Sequence, residues 1–378
     1  MLEARSRPGG RAFTAMIGGR PLDLGCGWLH SADVNPLGLL ARAGGFHVDE
    51  TVPPWQRPPD PAVFPADCHA QFRAAHVAFE ERLVVAAQDG QDFPAGNFLE
   101  KGCIWNPVLN AISTYVNGVE LDRLSVQDFL AYHDSEINHR VAGGLGHFVG
   151  GLAAGLPITF DCAVEVIEHS GTLIKLQTAR GTLACNTVIV TVPTNIIANG
   201  GLRFSPSLPD IQQAAAYVPL GVANKIFLYA DKADELPESS FVIANHASAA
   251  SGSYHLRPFG WPVIEGYFGG AYARDLELAG RVSFAHQAIE ELCAVLGNAW
   301  RQRLKLVAAS AWVSDPFSQG SYSHALPGHA DQRAVLARPH DGRIFFAGEA
   351  TSPHSFSTVH GAWESGERAA QQVLALRG

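Results

Sequence analysis

The 378-residue chain contains two methionines, only 17% charged residues, and fewer basic than acidic side chains: 27 Lys and Arg against 36 Asp and Glu, a formal charge of −9. It has no Lys/Arg block, so it lacks the cationic surface with which nucleic-acid binders neutralise phosphates. Its apolar stretches, such as Val188–Val190 and Ile344–Ala347, fall far short of the ~18 residues of a membrane span. The N-terminus lacks the basic-then-apolar layout of a secretory signal. The six cysteines (Cys26, Cys68, Cys103, Cys162, Cys185 and Cys293) form no CxxC pair and no metal-ligand spacing with histidine. HExxH, GxxxxGKS/T and GxSxG are absent too, which removes the commonest zinc-peptidase, nucleotide-triphosphatase and hydrolase signatures. The expectation is a reduced, cytoplasmic protein with no metal, nucleic acid or membrane partner. Its acidic balance suits a cationic small molecule.

What is present fits a compact enzyme. The length is enough for two domains, and 38 glycines imply many close backbone approaches. Six prolines between positions 51 and 65 (Pro53, Pro54, Pro58, Pro59, Pro61, Pro65) forbid a central strand or helix and mark a connection. From about Asp67 to Ala87 the period is helical, with Phe72, Ala75, Val77, Phe79, Leu83 and Val84 as the apolar stripe. Ser125 through Asp128 weakly matches a capping box. Leu156–Phe160, Ala163–Glu168, Leu173–Thr178, Val188–Val192, Val222–Tyr229 and Val263–Phe268 read as strands, and Phe284–Leu296 as a helix. At the end, the strand Ile344–Ala347, a Gly/Ser/Thr/Pro loop and the helix Gly361–Leu376 form the strand, loop, helix order in which open α/β sheets bind ligands. Gly25-Cys26-Gly27 and the segment from Gly144 to Val149 approach a dinucleotide fingerprint, but each fails at the last glycine.

Several short pieces carry more when taken in order. They are Leu2-Glu3-Ala4-Arg5 followed by Gly9-Gly10-Arg11; Leu22-Asp23-Leu24-Gly25 with Trp28-Leu29-His30; Asn35-Pro36-Leu37; Val164 with Ile167; and Val190-Thr191-Val192-Pro193. Pro219-Leu220-Gly221 with Lys225, Asp315-Pro316-Phe317 with Gly320-Ser321-Tyr322-Ser323, Phe345 through Ser352, and Thr358 through Ala370 follow. Together they resemble the FAD-dependent amine oxidases, the family of monoamine and polyamine oxidases, over essentially the whole chain.

The resemblance implies an α/β fold: a Rossmann-like FAD-binding lobe from residues 1–50, 142–206 and 318–378, with an inserted α+β substrate lobe from 51–141 and 207–317. It implies non-covalent FAD, because serine stands in the Ser318–Tyr322 stretch where a covalently linked member carries its thiol. Glu3 would bind a ribose diol, Gly9, Gly10 and Arg11 would approach and neutralise a pyrophosphate, and Arg5, Gly27, Trp28 and Gly348 fall within cofactor-binding pieces. Val164 would pair with an adenine edge through its backbone, and Glu349 would meet a cofactor hydroxyl. Each has a plainer reading: a surface glutamate, a turn with a solvent-facing arginine, a core valine and a structural cap. Thr358 and Val359 open the last helix, whose N–H groups and dipole suit the electron-rich edge of a reduced flavin. Lys225, costly inside an apolar strand unless partnered, would hold a water against the flavin; otherwise it is an edge lysine reaching solvent. Tyr322 would line the amine side, with Thr358 at the second cage position and Trp28, His30 and Trp363 as candidates to complete it.

The implied reaction is oxidation of an amine C–N bond to an imine, with hydride passing to the flavin and oxygen returning as hydrogen peroxide. A related flavin desaturase acting on a C–C bond is the rival. Family members also begin with a strand, a GxGxxG loop and a helix, whereas this sequence opens at the end of the second strand. Three expectations follow: a truncated product, a second chain or missing segment that supplies GxGxxG, or a chain that binds FAD poorly. A neighbouring strand edge should then lie open.

Overall fold

A computed structural model describes residues 1–59 and 64–376; Pro61 lies outside them. The chain forms an α/β fold in which two sheet-based layers face each other across a deep cavity. The larger sheet is antiparallel, in the spatial order Ser240–Ile243, Ser253–Leu256, Val263–Gly269, Ala223–Ala230, Leu304–Ala309. Alternation along its strands decides what faces where. Ile226, Leu228, Tyr254, Ile264 and Phe268 turn to one face and pack with Phe284, Ala288 and Leu292 of the helix Arg281–Leu296. Lys225, Tyr267, Ser253 and His255 turn to the other, toward the cavity.

The second layer holds a four-stranded sheet in the order Gly181–Cys185, Ile174–Thr178, Val164–Glu168, Arg203–Ser205. Beside it Ile344–Phe346 runs parallel to Val188–Val190. Ile167, Val190 and Ile344 share one core with Ile211, Ala214 and Ala215 of the helix Pro209–Tyr217. At the start of the chain Leu2 makes a single parallel bridge to Thr159, and Glu3 N–H donates to the Thr159 carbonyl at 2.9 Å. Leu156–Phe160, expected as a strand, contributes only that bridge. Among the described residues Ile344–Phe346 has no strand on its other edge; there the Phe346 carbonyl accepts from Arg368 Nη2 at 2.6 Å. Gly181–Cys185 forms a strand the pattern did not announce, because almost all of it is exposed and carries no alternation.

The helix Ala66–Ala87 forms where its period demanded, but Phe79 and Leu83 are the buried positions while Val77 and Val84 are exposed. At 100° per residue Val77 and Val84 lie well over a quarter turn from the Phe72, Phe79, Leu83 stripe. Ser125 caps the helix Val126–Ala131 by accepting from Asp128 N–H. Among its described residues the proline-rich connection holds one short 3₁₀ turn, Pro54–Gln56. All six cysteines are free thiols, and no helix among the described residues is long and apolar enough to cross a membrane.

Candidate active site

Between the layers lies a cavity of about 1860 Å³. Every site residue named from the sequence lines it: Glu3, Arg5, Gly9, Gly10, Arg11, Gly27, Trp28, His30, Val164, Lys225, Tyr322, Gly348, Glu349, Thr358 and Val359. They come from positions 3 to 359 and so meet only through the fold. The volume exceeds the ~300–1,000 Å³ of an ordinary small-molecule pocket, room for a large cofactor together with a substrate.

Lys225 is buried, not an edge lysine at the surface. Its Nζ lies 3.1 Å from Oε1 of Glu265, which is fully buried, and 4.8 Å from the Tyr267 ring centre. Glu265 also takes Arg140 Nη1 at 3.0 Å on its other oxygen and accepts from the Tyr267 hydroxyl at 3.0 Å. Burial alone would lower the lysine pKa, but Tyr267, Glu265 and Asp23 outweigh it and the pKa is raised, so Lys225 is a cation. Burial would raise the Glu265 pKa; Arg140 and Lys225 outweigh it and hold it at about 2. The lysine's contact with Glu265 is an ion pair without hydrogen-bond alignment, so its buried N–H donors have no acceptor among the described residues. A Cβ on Gly27 would stand 2.9 Å from Nζ, so the absence of a side chain there leaves the ammonium its space.

Trp28 is enclosed by aromatic and cationic neighbours, with Trp55 edge-on at 4.5 Å and the Arg140 guanidinium 5.0 Å from its ring centre. His30 Nδ1 lies 2.6 Å from Asn138 Oδ1, so that nitrogen carries the proton and Nε2 keeps its lone pair. Burial lowers the His30 pKa, and the ring is neutral. The Tyr322 hydroxyl donates to the Tyr115 carbonyl, which fixes the ring. Thr358 is the N-cap of the helix Val359–Ala375, and its hydroxyl accepts from Gly361 N–H at 3.0 Å while donating to the Ser355 carbonyl at 2.6 Å. The N–H groups of Val359 and His360, in the first turn beyond that cap, find no acceptor among the described residues.

On the opposite side Gly9 and Gly10 turn with φ of 90° and 56°. A Cβ on Gly9 would lie 2.7 Å from the Ala12 carbonyl, so only glycine closes this turn. Glu3 accepts from Arg5 N–H at 2.8 Å through Oε1, leaving Oε2 without a donor among the described residues. The Arg5 guanidinium is tied to Asp315 at 2.6 Å and Ser318 at 2.8 Å. Arg11 pairs with Glu349 at 2.8 Å. Glu349 is buried; it also accepts from Ser323 Oγ at 2.6 Å and Ser357 N–H at 2.8 Å. Burial would raise its pKa, but Arg11 and Arg333 outweigh that and lower it. Its carboxylate is thus already engaged by the protein. Val164 begins its strand just before a bulge, which leaves its register with Thr178 offset from the rest of the pair.

The near-fingerprint at Gly144 is occupied from within. Asp23 accepts from Leu145 N–H at 3.1 Å and Gly146 N–H at 3.3 Å, so a carboxylate of the chain itself fills the start of the helix Leu145–Gly151. Glu265, Arg140 and Tyr267 were not singled out in the sequence. A glutamate inside Val263–Phe268 carries the same signal that marked Lys225; Arg140 has none, since only the fold brings it to Glu265.

The residues present fit a flavin. Lys225 offers orphaned donors from a buried cation, the last helix offers two free N–H groups, Glu3 keeps an open carboxylate oxygen, and the Gly9–Gly10 turn presents bare backbone at the cavity wall.

Known proteins place these features in context. The profile of the family described as flavin containing amine oxidoreductase matches residues 1–100 and 106–374. The chain is 27% identical over 415 residues to lysine-specific histone demethylase 1 homolog 2 of Arabidopsis thaliana, covering 99% of this chain and 55% of that protein. It is 28% identical over 411 residues to polyamine oxidase 2 of the same plant, covering 98% of this chain and 82% of the relative. It therefore spans about half the length of the demethylase relatives it matches. A putrescine oxidase redesigned in its cofactor binding superposes with a TM-score of 0.78 at 16% identity, covering 99% of this chain and 93% of that one, and shares the fold.

Proposed function

The chain belongs to the flavin containing amine oxidoreductases, and from that premise we propose that it oxidises the C–N bond of a small amine carried on an aliphatic chain, using non-covalent FAD and molecular oxygen. Polyamine oxidase and lysine-specific demethylase, the names of its relatives, share such an amine. The observation that carries the reading is the buried, cationic, acceptor-less Lys225 in a cavity far larger than an amine needs.

Bound FAD supplies a two-electron acceptor for the hydride that leaves the carbon next to nitrogen, and the resulting imine hydrolyses to a carbonyl compound and an amine. Within the chain, Lys225 would direct its ammonium at the acceptor through a water, with Glu265, itself held by Arg140, fixing it from behind. The first turn of the last helix would offer its N–H groups to the negative charge that a reduced flavin gathers. Tyr322 and Trp28, with Trp363, form apolar walls that desolvate the amine and favour its neutral, reactive form. His30, uncharged and holding its proton on Nδ1, can accept a hydrogen bond from the substrate. Glu3 and the Gly9–Gly10 turn with Arg11 serve the nucleotide end, whether the chain alone or a further segment with GxGxxG completes that grip. No side chain need act as an obligate acid or base, and a cytoplasmic setting completes the reading.

Anaerobic addition of putrescine, spermidine or an N-methylated lysine peptide to the flavin-loaded chain is the test. Bleaching of the flavin bands, followed in air by peroxide and a carbonyl product in equal amounts, is expected. A loaded protein that no amine bleaches, or that forms a C–C double bond without releasing amine, overturns the proposal in favour of the desaturase.

A further inference from the structure

We propose that the turn at His340 and the end of the strand Val164–Glu168 form a site for a divalent transition-metal ion of the zinc type, ligated by His169, His340 and Asp341. One ring nitrogen of each histidine and one oxygen of Asp341 already lie within 4.8 Å of one another. None of the three lines the central cavity, so the site is separate from the amine chemistry.

His169 is the fixed member. It is buried, its N–H donates to the Ser205 carbonyl at 2.8 Å, and its Nε2 lies 2.7 Å from the Pro206 carbonyl oxygen. A carbonyl only accepts, so Nε2 carries the proton and Nδ1 keeps the lone pair. An outer carbonyl that orients the ring in this way is what metal-ligating histidines usually have.

The other two ligands sit on a clamped turn. His340 and Ile344 exchange hydrogen bonds, N–H to carbonyl at 2.8 Å and 3.0 Å, and Asp341 adopts a left-handed φ of 52°. Arg343, from the same turn, reaches back to donate to the His169 carbonyl at 2.7 Å and the Gly171 carbonyl at 2.8 Å. The two segments are therefore tied together independently of any ion. His340 Nε2 lies 3.2 Å from Asp341 Oδ2.

Two imidazoles and one carboxylate form a nitrogen and oxygen set suited to zinc, with a fourth position for water. Zinc bonds of about 2.0–2.2 Å place tetrahedral ligands roughly 3.3–3.6 Å apart. The wider of the present separations must close, and the side chains able to move are His340 and Asp341, 34% and 64% exposed. Bound metal would pin the turn before Ile344–Phe346 to the sheet beside it.

The full chain, stripped with chelator, is titrated with zinc by calorimetry and with cobalt while the visible band of a four-coordinate ion is followed. One zinc per chain, a cobalt band and a raised thermal midpoint are expected. His340→Ala and Asp341→Ala alter a solvent-facing turn, and circular dichroism confirms that each folds. Each should weaken zinc binding by about 10–100-fold or more and abolish the cobalt band, while His286→Ala, on an exposed helix face, leaves both unchanged. Absence of zinc binding by the native chain, or unchanged affinity and stoichiometry in both turn variants, overturns the proposal.

Discussion

The Lys225 ammonium stands 3.1 Å from one oxygen of Glu265, and Arg140 stands 3.0 Å from the other, so two buried cations rest on one fully buried carboxylate. Registration makes this possible. Lys225 lies opposite Tyr267, and Glu265 is two residues before Tyr267 on the same strand, on the same face. Removing the carboxylate leaves both cations without their nearest anion, a change that typically costs about 3–5 kcal/mol. Glu265→Gln should therefore lower the denaturant midpoint markedly, with Glu265→Asp between it and the native chain. A midpoint unchanged in Glu265→Gln would mean that the pair does not hold the sheet face.

Lys225 itself is expected to matter for the oxidative half-reaction. Lys225→Met keeps the length and apolar stem but removes the charge. The flavin content should stay near that of the native chain while reoxidation by oxygen slows by more than about tenfold, a barrier change of about 1.4 kcal/mol. Stopped-flow mixing of the reduced protein with oxygen reads this directly, and an unchanged rate would remove the role assigned to Lys225.

Acid should destabilise the fold in two stages. Burial, with Arg140 adding to it, lowers His255 from 6.5 to about 3, and burial, with His30 adding, lowers His360 from 6.5 to about 4. Glu265 is held at about 2 against 4.5, burial being outweighed by Arg140 and Lys225. All three bind protons more readily in the unfolded chain, so lowering the pH favours unfolding. The histidine contributions are whole above pH 6.5 and are lost between there and about 3; the Glu265 contribution is whole above 4.5 and is lost toward about 2. Urea midpoints should fall from pH 7 to pH 5 and fall more steeply below about 4.5. A flat profile from 7 to 5 would contradict the burial of neutral histidines.

Thr358 separates a structural role from a catalytic one. Its hydroxyl caps the last helix at Gly361 N–H, so Thr358→Ala should cost about 1 kcal/mol and Thr358→Ser should restore it. The second position of the expected aromatic cage is thus held by a capping residue. If Thr358→Tyr folds and oxidises amines as well as the native chain, the cap is dispensable.

The ordered motifs were legible in the sequence because they are backbone features: the glycines of the Gly9–Gly10 turn, the Ser125 cap and the strand holding Lys225 all declare themselves locally. Edge and bridge elements did not. Gly181–Cys185 is exposed and patternless, and Leu156–Phe160 keeps only the bridge to Leu2. Within the site, Glu265 went unnoticed although it is a charge in an apolar run, and its meaning depends on Arg140, which lies 125 residues away and meets it only after folding. The same limit hid the His169, His340 and Asp341 cluster, whose spacing resembles no metal motif.

The most direct measurement is the visible spectrum of the full chain after incubation with FAD and removal of the unbound cofactor. Flavin bands retained at one FAD per chain, and released on denaturation, are the expected result. A colourless, folded protein would contradict the claim that this cavity holds a flavin.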